Sequence, residues 1–177
     1  LDSGAVTETS VYNDTGCIEM DEKKICNYDL RARGPGTTMQ AVLSQSLNLG
    51  ASHVATKMGP TKMREYFLDK YKMGEETGVD LPGEVRGLVS NLESDRRVEH
   101  NTASFGQGIA VTPIAMVRAL AALGNGGYLV TPHLVRAVRD DRGFERELGW
   151  GEPVRILKEQ TSTAISRMLT EVVDKAL

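Results

Sequence analysis

Leu43-Ser44-Gln45-Ser46-Leu47-Asn48-Leu49-Gly50 is the stretch on which the reading of this chain turns. A serine and an asparagine stand two apart between two apolar segments of helical spacing. Upstream, Thr37 or Thr38 offers a hydroxyl N-cap, and Met39, Val42 and Leu43 follow on one helix face. That helix is expected to stop near Ser46, because Asn48 and Gly50 tolerate the backbone that ends helices. A second short helix is expected over 51–57. A hydroxyl and a carboxamide two residues apart on such a turn can project together into a cleft. The competing structural reading makes Asn48 a left-handed cap and Ser46 an exposed helix-end hydroxyl.

Working outward, Gly59-Pro60 breaks the chain, and Pro60 with Thr61 opens a helix whose stripe is Met63, Tyr66, Phe67 and Tyr71, ended by Gly74. Thr77-Gly78-Val79-Asp80-Leu81-Pro82-Gly83-Glu84 reads as an irregular connector with two turns, and Glu93 to Glu99 as a solvated charged run. Phe105-Gly106-Gln107-Gly108 is a tight turn. Thr112-Pro113 starts a helix that presents Ile114, Val117, Leu120 and Ala121 to the core and ends at Gly124-Asn125-Gly126-Gly127. From Tyr128 to Arg139 the chain reads as extended. Turns at 140–143 and 149–153 follow, with Trp150 a local packing anchor, before a short strand over 154–157. A final helix over 159–177 carries Ile165, Met168, Leu169, Val172 and Val173 on one apolar face. Residues 1–36 look loop-rich with short strands, and Arg33-Gly34-Pro35-Gly36 reads as a loop.

In Cys17-Ile18-Glu19-Met20-Asp21-Glu22-Lys23-Lys24-Ile25-Cys26, a tight turn at Asp21-Glu22 sets Ile18 opposite Ile25 and Cys17 opposite Cys26. Cross-strand neighbours of that kind are close enough for a disulfide, and two free thiols fit the same face equally well. An extracytoplasmic location favours the disulfide.

Composition narrows the field. The 177 residues suit one domain or part of one, and 40% apolar with 25% charged residues is an ordinary globular balance. A net charge of −3 and an aromatic content of 5% offer neither a basic field nor stacking platforms for nucleic acid. No apolar run approaches the ~20 residues of a membrane span. His53, His100 and His133 are scattered and there is a single cysteine pair, so neither metal nor cofactor is expected. The opening Leu1-Asp2-Ser3-Gly4 reads as an excised or mature piece.

Four segments, taken in order and spacing, resemble the transpeptidase domain of class B penicillin-binding proteins along nearly the whole chain. They are Ser46-Leu47-Asn48 with Leu49-Gly50; Thr77 to Glu84; Phe105-Gly106-Gln107-Gly108 with Val111-Thr112-Pro113; and Ala121-Ala122-Leu123-Gly124-Asn125-Gly126-Gly127. The resemblance implies an α/β (α+β) penicillin-binding-protein/serine β-lactamase-like fold, a mainly antiparallel sheet with a helical lobe, this chain being weighted to the lobe. It implies peptidoglycan D,D-transpeptidation by serine acyl transfer, which splits one hard amide exchange into two easier steps. Its implied partners are the peptidoglycan stem peptide, β-lactam antibiotics and cell-wall elongation or division proteins. Its implied location is extracytoplasmic, the parent anchored in the cytoplasmic membrane. Carried over residue by residue, Ser46 relays a proton to the departing amine and Asn48 holds the substrate amide.

The family pattern also needs Ser-x-x-Lys and a Lys-Thr-Gly strand. No serine here is followed three residues later by lysine, and Lys57-Met58-Gly59 and Lys72-Met73-Gly74 read as helix ends. The expectation is therefore the interior of one transpeptidase domain over 1–177, inactive by itself. The alternatives are a non-catalytic penicillin-binding-like module and a β-lactamase or β-lactam-sensor relative.

Overall fold

The computed structural model describes residues 1–175; the last two residues of the expected 159–177 helix lie outside them. Among the described residues eight short strands form four separate antiparallel pairs. β1 (Val11–Asp14) pairs with β4 (Gly34–Thr38), and β2 (Cys17–Met20) with β3 (Lys23–Cys26). β5 (Tyr128–Leu129) pairs with β8 (Val154–Arg155), and β6 (Ala137–Arg139) with β7 (Glu145–Glu147). The helices are α1 (Met39–Ser44), α2 (Asn48–Arg64), α3 (Arg97–Ala103), α4 (Pro113–Gly124) and α5 (Glu159–Asp174). Among the described residues no helix is long and apolar enough to cross a membrane.

Two apolar clusters hold these pieces. Val6, Tyr12, Ile25, Met39, Leu49, Val98 and Met168 pack where β1, β3, α1, α2, α3 and α5 meet. Tyr66, Ala122, Leu129, Ile156 and Leu157 form the second, around α4. The hairpin has the expected register, Cys17 facing Cys26 and Ile18 facing Ile25, with the turn residues Asp21 and Glu22 both at positive φ. The two cysteines are joined as a disulfide.

Several elements differ from their expected form. Residues 34–38 are a strand, because the loop-like Gly-Pro-Gly sits on an edge where proline costs no ladder bond. The helix expected over 51–57 starts earlier, at Asn48, and continues to Arg64 across a kink at Gly59, whose φ of 76° only glycine adopts cheaply. A π-helical turn, Glu65–Lys70, extends it. The charged run hides a helix, α3, with Val98 buried. In α4 the buried face is Ala115, Arg118, Ala119 and Ala122, while Val117 and Leu120 are exposed. Small alanines let α4 approach α5 and β5 closely, and Arg118 is drawn inward to donate to the carbonyls of Tyr71, Lys72 and Thr77. In α5 Met168 is buried, but Leu169 and Val173 are exposed.

Candidate active site

α1 closes in a way that puts Ser46 in the left-handed conformation. Thr38 caps its start by accepting from the Ala41 amide at 3.1 Å. At its end the Ser46 amide donates to Leu43 O and the Leu47 amide to Val42 O, at 3.3 and 3.0 Å. This is the paired closure in which glycine usually takes the left-handed place. Here that place belongs to Ser46, at φ 50°, so the alternative that made Asn48 the left-handed cap is corrected. A side chain there costs roughly 1–2 kcal/mol, and strain of this kind gathers at functional sites. Leu47 is extended and only 3% exposed, plugging the turn into the core and leaving Ser46 in solvent.

Asn48 opens α2 and is half-buried. Its Nδ2 donates to Cys26 O at 3.0 Å, so the disulfide hairpin orients its carboxamide. The next amide, Leu49 N, donates to Asn27 Oδ1 at 3.1 Å. Gly50 follows because α1 presses against α2: a Cβ there would lie 2.2 Å from a Val42 methyl. On the other side of the turn, Arg33 Nε donates to Gln45 Oε1 at 2.9 Å, and the Arg33 guanidinium pairs with Asp29. Hydrogen bonding from Arg33, above all, holds the Asp29 carboxyl down to about 2.

Behind the turn lies a buried polar network. Asn27 Nδ2 donates to both Asp14 carboxylate oxygens at 3.0 Å, and Asp14 also accepts from Tyr12 Oη and the Gly16 amide, each at 2.8 Å. Burial, then the bond to Asp14, pushes the Tyr12 phenol upward. Tyr12 stacks on His53, which with Ser52, Thr56 and Arg97 borders a cleft of about 240 Å³. Burial first, and Lys57 next, lower the His53 imidazole, favouring its neutral form.

The glycine-rich segments act as scaffolding. Glu84 accepts from the Thr77 amide, the Thr77 hydroxyl and the Gly78 amide, while Asp80 accepts from the Leu134 and Val135 amides. Thr77 to Glu84 is thus a loop buckled by its two carboxylates. Gln107 lies exposed in the turn after α3, its amide donating to Thr102 O. Trp150 stacks on His133 and donates to Val135 O at 2.9 Å, the packing role expected of it. Lys57 and Lys72 lie in or beside helical segments and on no strand. Among the described residues no cluster of His, Cys, Asp or Glu could hold a metal ion.

The turn thus holds an exposed serine at positive φ and, two residues on, an asparagine tethered to the disulfide hairpin. The chain belongs to the penicillin binding protein transpeptidase domain family, whose profile matches residues 1–176. It is 31% identical over 168 residues to stage V sporulation protein D of Bacillus subtilis, covering 94% of this chain and 24% of that protein. It is 29% identical over 138 residues to penicillin-binding protein PbpB of Mycobacterium tuberculosis, covering 78% of this chain and 20% of that protein. The chain therefore spans no more than about a quarter of the length of these relatives. Among solved structures it is similar to penicillin binding protein 3 of Mycobacterium tuberculosis, complexed with aztreonam. That likeness has a TM-score of 0.88 and 26% identity over 97% of this chain and 38% of that one. The fold is the α/β transpeptidase fold, and the resemblance read from the four motifs is borne out.

Proposed function

We propose that these residues form the interior of a peptidoglycan D,D-transpeptidase domain, with Ser46 as proton relay and Asn48 as ligand of the substrate amide. The observation that carries the reading is the Ser46–Asn48 turn. Its hydroxyl is free in solvent at a strained position, and its carboxamide spends one amide hydrogen on Cys26 O, leaving the other and Oδ1 for a ligand. Family membership supports the reaction, and so do relatives that carry the name peptidoglycan D,D-transpeptidase.

In this reading a serine and lysine outside these residues supply nucleophile and base. The serine Oγ attacks the penultimate D-alanyl carbonyl of the stem peptide, and the C–N bond to the terminal D-alanine breaks. Ser46 Oγ passes the proton to the departing nitrogen, and a neighbouring amine then takes the acyl group. The 177-residue chain alone neither acylates nor transfers. β-Lactams are a second ligand class, supported by neighbours solved with aztreonam and ampicillin. An extracytoplasmic location is supported by the Cys17–Cys26 disulfide, since such bonds persist in oxidising compartments. Anchoring of the parent in the cytoplasmic membrane, and a role in cell-wall elongation or division, complete the reading.

The test is D-alanine release from a pentapeptide stem by the intact gene product. Release that falls at least about tenfold in Asn48→Ala supports the reading. No release by folded wild type favours a non-catalytic module, and rapid β-lactam hydrolysis a β-lactamase relative.

A further inference from the structure

Asn27 belongs to none of the sequence motifs, yet it is 2% exposed and sits directly behind the turn. Its Nδ2 donates to Asp14 Oδ1 and Oδ2 at 3.0 Å and to Arg31 O at 3.2 Å. With the amide nitrogen so committed, the carboxamide has one orientation, and its Oδ1 faces the start of α2, where it accepts the Leu49 amide. Among the described residues no other side chain caps this helix start, whose own N-cap residue is Leu47. The peptide bond before Asn27 supplies Cys26 O to Asn48 Nδ2. One dipeptide, Cys26–Asn27, thus fixes both the side chain of Asn48 and the backbone just after it.

We propose that Asn27, oriented by Asp14, is a positioning residue that sets the N-terminus of α2 and thereby the direction of the Asn48 carboxamide. The functional half rests on reading Asn48 as a substrate ligand. Charge explains why the position holds asparagine. A carboxylate in its place would face the Asp14 carboxylate at hydrogen-bond distance, and two such groups cannot both stay ionised. The other titratable groups around the pair are Tyr12 on β1, Arg33 and Asp29 in the following loop, and His53 stacked on Tyr12.

The experiment uses the intact gene product with Asn27→Ala and Asn27→Asp, held where each variant is folded. Hydrogen exchange is followed in the peptide covering 45–50, and acylation by a fluorescent penicillin is timed from about pH 5 to 8, the span over which a raised carboxyl would titrate. Asn27→Ala should speed exchange in that peptide and slow acylation roughly 10–100-fold, the range for misplacing a substrate-holding group by about 1 Å. Asn27→Asp should be slow near the alkaline end of that span and recover toward the acid end. There a proton shared with Asp14 lets the introduced carboxyl keep its bond to Asp14 and still accept from the Leu49 amide; wild type should show no such recovery. Unchanged exchange in Asn27→Ala, or an Asn27→Asp profile parallel to wild type, overturns the proposal. If Asn48→Ala acylates like wild type, the functional half falls with the reading beneath it, while exchange still decides the structural tie.

Discussion

Ser46→Gly should make the protein more stable and less active. Ser46 sits at φ 50° at the end of α1, and its hydroxyl makes no hydrogen bond among the described residues. Removing the Cβ relieves roughly 1–2 kcal/mol of left-handed strain. Glycine gives back about 0.5–1 kcal/mol through the greater freedom of the unfolded chain. The net is a stabilisation of up to about 1.5 kcal/mol, and each kcal/mol raises the melting temperature by ~2–4 °C for a unit of this size. Ser46→Ala keeps the Cβ and the strain and loses only the hydroxyl, so its stability should match wild type within about 0.5 kcal/mol. Both variants lose the proposed relay, so both should slow D-alanine release by a similar factor, on the order of 10²-fold. Thermal unfolding and end-product release, measured on the intact gene product, separate the two effects. A Ser46→Gly variant less stable than Ser46→Ala would refute the strain argument. Full activity in either variant would refute the relay.

Gly50→Ala should destabilise by about 1–3 kcal/mol despite alanine's better helix propensity, because the new Cβ meets both Val42 methyls within 2.7 Å. Adding Val42→Ala should recover part of that loss in a thermal melt, and a purely additive pair would contradict the close α1–α2 approach. Reducing Cys17–Cys26, which closes a loop with sequence separation 9, should cost about 2–3 kcal/mol in denaturant unfolding; a thiol titration without reductant should find neither cysteine free. Arg118→Met should cost roughly 1–3 kcal/mol in a thermal melt, since the buried carbonyl of Thr77 and the partly buried ones of Tyr71 and Lys72 lose their donor. Asp2 makes a pH prediction: burial raises its carboxyl, but bonds from Tyr66, the Lys158 amide and Thr161, with the charge of Lys70, hold it down to about 2. Its stabilisation is therefore present above pH ~4 and lost as pH falls toward about 2, and in Asp2→Asn the acid limb of the stability curve should flatten there.

The hairpin, the end of α1 and the breaks at Gly59-Pro60 and Thr112-Pro113 were legible in the sequence because each depends on residues within one or two turns of each other. The helix starts at Asn48 and Arg97 were not, for a specific reason. Leu47 and Arg96 occupy the N-cap positions of α2 and α3, and neither can cap. The acceptors come from far along the chain: Asn27 takes the Leu49 amide and Asp21 the Val98 amide. At α5, where Lys158 is the N-cap, Asp2 takes the Lys158 amide in the same way. A local capping rule is blind to a cap made by tertiary contact. The inner face of α4 was missed because size misled: Met116, Val117 and Leu120 point outward, and three alanines and a hydrogen-bonded arginine point in. Of the proposed site, Ser46 and Asn48 form a motif visible in type and spacing, whereas Asp14 and Asn27 carry no sequence signature and emerge only from their shared hydrogen bonds.

If, as proposed, Ser46–Asn48 serves an acylation whose nucleophile lies outside these 177 residues, a penicillin must label a serine elsewhere in the gene product. Mass-spectrometric mapping of the intact gene product after exposure to a penicillin, with acylation timed in wild type, Ser46→Ala and Asn48→Ala, tests it most directly. Acyl label is expected on a serine outside residues 1–177, with labelling slower by about tenfold or more in both variants. Label on a serine within these residues, or labelling indifferent to both substitutions, would contradict it.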